Sequence, residues 1–285
     1  MSVQDIAPPT GTAVASSARA FAAAKAEGRG ALVGYLPVGY PSVPGSLAAL
    51  KALCGEGSDG PGVDLVEIGL PYSDPMMDGP VIQQAGTRAL QRGVRTADVF
   101  AAVEAVRSTG TPAVVMTYWN LVDRYGVDAF ARDLANAGGS GLITPDLIPD
   151  EAGEWLSASD LHGLDRVFLV SPSSSDARIA STAAACRGWM YATSVMGVTG
   201  TRTASSSAAP GLVARIRSLA PETLVAVGLG VSTGDQAAEV TGFADGVIVG
   251  SAFVKTLLAA EAAGTPDDLT GLRAILADLV EGVRR

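Results

Sequence analysis

Histidine and lysine are almost missing from this chain: His162 stands alone, and the only lysines are Lys25, Lys51 and Lys255. Each lysine lies in an Ala/Leu-rich stretch of helical pattern. His162 sits in LHGL, where a helix gives way to a strand, so an exposed or locally satisfied role suits all four. A Schiff-base lysine, a Ser-His-Asp triad and a multi-histidine metal site are therefore hard to assemble. Cysteine is as scarce. Cys54 and Cys186 are far apart and belong to no CxxC, which argues against both a disulfide framework and a thiolate metal site. The 20 Lys and Arg form no run and are outnumbered by 29 Asp and Glu, which argues against a surface built to neutralise a nucleic-acid backbone. Apolar runs break well before the roughly 18 residues of a membrane span. Residues 1–15 have neither a basic start nor an apolar stretch, so a cytoplasmic protein without a secretory leader is expected. Any chemistry must fall mostly to carboxylates and backbone amides.

What the chain does have is 285 residues, 48% of them apolar, and 34 glycines. Short apolar β-type runs alternate with longer Ala/Leu/Arg stretches, the pattern of parallel βα units. Strands are expected at 31–37, 63–69, 112–118, 140–145, 165–171, 189–194, 223–229 and 245–250. Helices are expected near 43–55, 96–108, 127–137, 151–160, 176–186, 210–219, 234–241, 252–263 and 268–283, with another opening at Pro80. Nearly continuous apolar strands suit a sheet covered by helices. The reading is α/β: a single (β/α)8 TIM barrel over residues 15–285, with extra helices at the N-terminus and after strands 2 and 8, behind a flexible tail at 1–14. An open doubly wound sheet is the runner-up, but the first strand leads into LPVGYPSVPG rather than GxGxxG. Ser/Ala-rich 200–210 reads as a mobile loop over the barrel mouth.

Sites in such barrels lie at the C-terminal ends of the strands. The densest cluster there is VEIGLPYSDPMMDGPVIQ, residues 66–83. Alternation along the second strand turns Glu67 inward, where desolvation raises a carboxyl pKa toward the range of an acid/base catalyst. The competing reading, a Glu paired with a neighbouring Arg, has no Arg at any strand end to support it. Asp74 in SDP reads first as a turn former. Asp78, before Gly79 and Pro80, reads equally well as a helix N-cap or as a catalyst. The turns VGLGVST and VGSAFVK after the last two strands offer backbone N–H groups of Gly228, Gly230, Gly250 and Ser251 to a phosphate, each turn opening a helix. Tyr35, Tyr118, Asn120 and Tyr191 at other strand ends suggest a pocket for a flat aromatic group.

Over residues 17–284 the chain resembles the tryptophan synthase α subunit family. The 66–83 segment matches that family's E-(L/I/V)-G-x-P-(F/Y)-S-D-P-x-x-D-G-P-x-I-Q signature, and MGVTG (196–200), GLGVS (228–232) and ADGVIVGSAFVK (244–255) follow in family order. The resemblance implies retro-aldol cleavage of indole-3-glycerol phosphate, with Glu67 as the principal acid/base, Asp78 on the indole N–H and Tyr191 beside Glu67. It assigns the phosphate to Gly200, Gly228, Gly230, Gly250 and Ser251. It assigns the pocket wall to Tyr35, Ile82, Met116, Pro145, Leu169, Thr199 and Leu229, and the partner-facing surface to Asp74, Pro75 and Asn120. It also implies an αββα heterotetramer in which the β subunit, not this chain, carries pyridoxal phosphate; no metal or cofactor is expected here. Tyr35 and Tyr72 stand where other members often have Phe, and Val195 where some have Arg. The alternatives are a stand-alone indole-releasing lyase, another phosphate-binding barrel such as a sugar-phosphate isomerase, and a weakly active regulatory partner. The SDPMMDGP loop with Asn120 favours a chain that docks on a partner.

Overall fold

The structure, a computed structural model, describes residues 16–193, 208–228 and 230–285. The expected tail, and the expected mouth loop as far as residue 207, lie outside the described residues. The apolar runs form β1 (Ala31–Pro37), β2 (Leu65–Gly69), β3 (Ala113–Met116), β4 (Gly141–Ile143), β5 (Asp165–Val167), β6 (Leu169–Val170), β7 (Met190–Thr193), β8 (Val225–Gly228) and β9 (Gly246–Val249). All pair in parallel, and β1 bonds to both β2 and β9, so the sheet curls into a barrel.

The fifth expected strand, 165–171, is two pieces. β5 pairs with β4 and β6 pairs with β7, with Phe168 between them. Closing a barrel requires each strand to tilt and stagger against the next. Here the chain meets that demand by leaving one ladder at Val167 and joining the other at Leu169, while the Phe168 ring packs into the outer core. The barrel thus has eight staves, one of them split.

Side-chain alternation sorts the core into two parts. The inner one takes Val33, Leu65, Val114, Ile143, Val167, Tyr191, Ala226 and Ile248, one residue from each stave. Its floor is α1 (Ala18–Ala26), whose Phe21 ring lies 5.5 Å from that of Trp189. Buried Asp165 holds the start of α1, accepting hydrogen bonds from Ser17 N and Ser17 Oγ at 2.6 Å each and from Ser16 Oγ at 2.9 Å. The outer core lies between staves and helices: α2 (Val43–Leu53), α3 (Pro80–Gln91), α4 (Asp98–Arg107), α5 (Trp119–Tyr125), α6 (Val127–Ala137), α7 (Gly153–His162), α8 (Asp176–Ala185), α9 (Ala209–Leu219), α10 (Gly234–Thr241), α11 (Ser251–Ala262) and α12 (Thr270–Gly282).

Helices α1, α3 and α12 are the expected additions, but α5 is not. The residues after β3 had read as the end of a longer strand. In fact β3 stops at Met116, and Asp146 caps the new helix by accepting from Trp119 N at 2.9 Å. Gly126, with φ 96°, then turns the chain out of α5 and into α6. His162 ends α7, its Nε2 2.9 Å from Asp128 Oδ1. No helix among the described residues is long and apolar enough to cross a membrane.

Candidate active site

A cavity of about 640 Å³, reckoned out to its open mouth, lies at the C-terminal ends of the staves. Eleven of the expected site residues line it: Tyr35, Glu67, Asp78, Ile82, Met116, Leu169, Tyr191, Gly228, Gly230, Gly250 and Ser251. Glu67 reaches it because Leu65, two residues earlier on β2, faces the inner core and the pleat repeats every two residues. Tyr35 stands directly across the ladder on β1.

Glu67 is 1% exposed, and its Oε2 meets no hydrogen-bond partner among the described residues. Burial, aided by the nearby charge of Asp78, pushes its pKa up to about 8, so it is a neutral acid at neutral pH. No ion pair with an Arg forms among the described residues. Asp78 is raised to about 6, again by burial, while the hydroxyl of Tyr118 beside it pulls the other way by favouring the charged form. Two carboxyls in one cavity are thereby held in different states at neutrality. Tyr35 and Tyr191, buried beside both, have their phenol pKa values raised further above the ordinary value and stay neutral.

Of the two readings of Asp78, the N-cap is not realised, and the residue lines the cavity. Gly79 occupies the N-cap of α3 and no side chain caps that end. The backbone carbonyl of Asp78 accepts instead from Gln83 Nε2 at 2.8 Å, which anchors the loop to the first turn of α3.

At the far side of the cavity, Gly250 is the N-cap of α11 and Ser251 its first residue, so the partial positive end of that helix faces the site. The turn after β8 leads, as expected, into α10 at Gly234, capped by Thr233; Gly230 lies four residues before that helix, in the turn itself, at φ 68°. The glycines also make room for rings. A Cβ on Gly228 would stand 2.4 Å from the Tyr191 hydroxyl, and one on Gly69 2.2 Å from that of Tyr35. Among the described residues no Lys or Arg lines the cavity, so an anion there would meet neutral amides.

Some expectations move. Tyr118 and Asn120 do not line the cavity: Tyr118 is buried behind Asp78, and Asn120 is exposed on α5. Half-buried Pro145 also stands off it. Asp74 is exposed, accepting from Ser73 Oγ at 2.6 Å, and Pro75 is half-buried in the same loop. Thr199, Gly200 and Leu229 lie outside the described residues. Three wall residues had not been singled out: Met77, Thr193 and Ile248. Thr193 and Ile248 sit in apolar strand runs and gave no local signal; only their cross-strand register with Gly228 brings them to the mouth.

Comparison with known proteins agrees with this geometry. The family model described as tryptophan synthase alpha chain matches residues 21–278. The chain belongs to the tryptophan synthase alpha chain family. It is 60% identical to the tryptophan synthase alpha chain of Salinispora arenicola over 93% of its length and 96% of that chain. It is 57% identical to that of Mycobacterium avium, over 93% of both. Among solved structures, a Mycobacterium tuberculosis tryptophan synthase chain superposes with a TM-score of 0.87 at 54% identity, covering 95% of this chain and 99% of that one. The alpha subunit of Pyrococcus furiosus, a mutant form, gives 0.78 at 30% identity over 89% and 98%. As a tryptophan synthase alpha chain it is a lyase that cleaves indole-3-glycerol phosphate to indole and glyceraldehyde 3-phosphate in tryptophan biosynthesis.

Proposed function

We propose that Glu67 and Asp78 carry this cleavage as an acid/base and charge-stabilising pair. Breaking the bond between indole C3 and the carbinol carbon needs an electron sink, and the substrate supplies one. The Glu67 acid protonates C3, which makes the ring an iminium-like cation. The Asp78 carboxylate pairs with the charge developing at the indole N–H. The Glu67 carboxylate then takes the hydroxyl proton as the C–C bond breaks; its electrons restore the aromatic ring, the carbinol carbon becomes the aldehyde, and Glu67 is again an acid. The single observation that carries this reading is that Glu67 is buried in the same cavity as Asp78, where burial raises its pKa above that of Asp78.

Tyr35, Ile82, Met116, Leu169 and Tyr191 would hold the indole ring. The phosphate would sit on the amides of Gly228, Gly230, Gly250 and Ser251, with binding energy remote from the breaking bond spent on orientation. Thr199, Gly200 and Leu229 keep the roles that the family resemblance gives them, and Pro145, which stands off the cavity, does not. The partner is the tryptophan synthase β subunit, in an αββα assembly, docked across Asp74, Pro75 and Asn120. Pyridoxal phosphate belongs to that partner, and the alpha reaction uses no cofactor of its own.

Glu67→Gln should lower kcat at least about a hundredfold, the scale of general acid/base catalysis, while indole-3-glycerol phosphate binding stays within a few-fold. Indole release in single turnover and equilibrium binding read the two effects. Undiminished turnover would remove Glu67 from the mechanism.

A further inference from the structure

We infer that Tyr118 is a positioning residue for Asp78, the post on which the loop between β2 and α3 is set; this rests on the assignment of Asp78 above. Tyr118 immediately precedes α5 and is buried, 3% exposed, just behind the cavity wall. Its hydroxyl oxygen accepts from Met77 N at 2.9 Å, which fixes the backbone one residue before the carboxylate. Its ring stacks on that of Tyr72, with centroids 4.9 Å apart and planes 28° apart. One side chain thus holds the loop near both ends, at Tyr72 and at Met77, while Asp74, Pro75 and Met76 bulge outward between them, with Met76 66% exposed. The hydroxyl proton is left free for the Asp78 carboxylate beside it, and that hydroxyl favours the charged form. From the other side, Gln83 grips the Asp78 carbonyl. The carboxylate is therefore oriented by groups that do not line the substrate cavity.

The loop cannot hold this geometry unaided. Its backbone N–H at Met77 is half-buried, and removing the phenol oxygen would leave that donor and the carboxylate each short of a partner. Phenylalanine at 118 keeps the stack on Tyr72 and removes only the oxygen, so it isolates the hydroxyl's role.

The test is a double-mutant cycle on the full-length chain, with single-turnover indole release from indole-3-glycerol phosphate for the wild type, Tyr118→Phe, Asp78→Asn and the double variant. Tyr118→Phe should lower kcat about tenfold, the order expected for one hydrogen bond to a charged group, with KM changed less than twofold. Its acid limb in kcat/KM should move to higher pH, because the carboxylate has lost a group that favours its charge. In the Asp78→Asn background the same substitution should cost little more. An equal loss in both backgrounds, or a variant that is merely less stable with kcat and pH profile unchanged, would overturn the inference. Full turnover by Asp78→Asn would instead remove the underlying role of Asp78, and the inference with it. A dead Asp78→Asn beside an unaltered Tyr118→Phe would defeat the inference alone.

Discussion

At the scale of single residues, one carboxyl must hold its proton while the other has lost its own, and the cavity sets both. The proposed mechanism needs Glu67 protonated and Asp78 charged. As pH falls through about 6 Asp78 is neutralised, and as pH rises through about 8 Glu67 loses the proton it delivers. The expected kcat/KM profile is a bell between those limbs, which belong to the coupled pair rather than to either group alone. Rates measured from pH 5 to 9.5 check it; an unbroken plateau to the alkaline end would show that Glu67 is not needed as an acid. These residues could be read from the sequence for a physical reason. A lone carboxylate in an apolar strand run is conspicuous, and its neighbours Pro71, Pro75 and Pro80 mark a fixed loop. Ile248 and Thr193 were not readable, because an inward-facing residue at the mouth looks, locally, like any other core residue until its register is known.

At the scale of elements, helices α3 and α11 meet at their far ends. Glu261 on α11 accepts from Arg88 and Arg92 of α3 and, at 2.6 Å, from the hydroxyl of buried Tyr40. The helix that follows Asp78 is thereby tied to the helix that starts at Ser251. The pairs are partly exposed, so their net value is modest; Glu261→Ala should cost about 1 kcal/mol, mostly by stranding the Tyr40 hydroxyl. Urea unfolding measures it, and no change would mean that solvent already satisfies these groups. Most elements followed from apolar run length and spacing, with ends off by at most two residues. Two features did not. The apolar run DRVFLVS carries no mark of the ladder change at Phe168, which depends on barrel closure rather than on local preference. Likewise WNLVDRY does not read as a helix: it follows directly on a run that reads as strand to Tyr118, and its start is fixed by a cap from distant Asp146.

At the scale of the whole molecule, the two ends of the barrel divide their tasks. The site is at one end, and the other is stoppered by α1 through Phe21, Ala24 and the bonds to Asp165. Phe21→Ala should lower stability by about 3–5 kcal/mol, as loss of a fully buried ring does, yet leave kcat for indole release unchanged at a temperature where the variant is folded. Denaturant unfolding together with a steady-state assay separates the two effects. A fall in kcat with unaltered stability would mean that the floor reaches the chemistry.

The bare Cα atom at Gly69 bears on specificity, and that at Gly228 on specificity as much as on the proposed anion binding. Each is the socket in which a tyrosine oxygen is seated, so a methyl group added at either would displace that phenol from its place in the cavity wall. At Gly228 the demand for a smooth backbone under the proposed phosphate and the demand for clearance of the Tyr191 ring act on the same atom. This barrel therefore has little freedom to retune its grip on the anion without also reshaping the slot for the aromatic part.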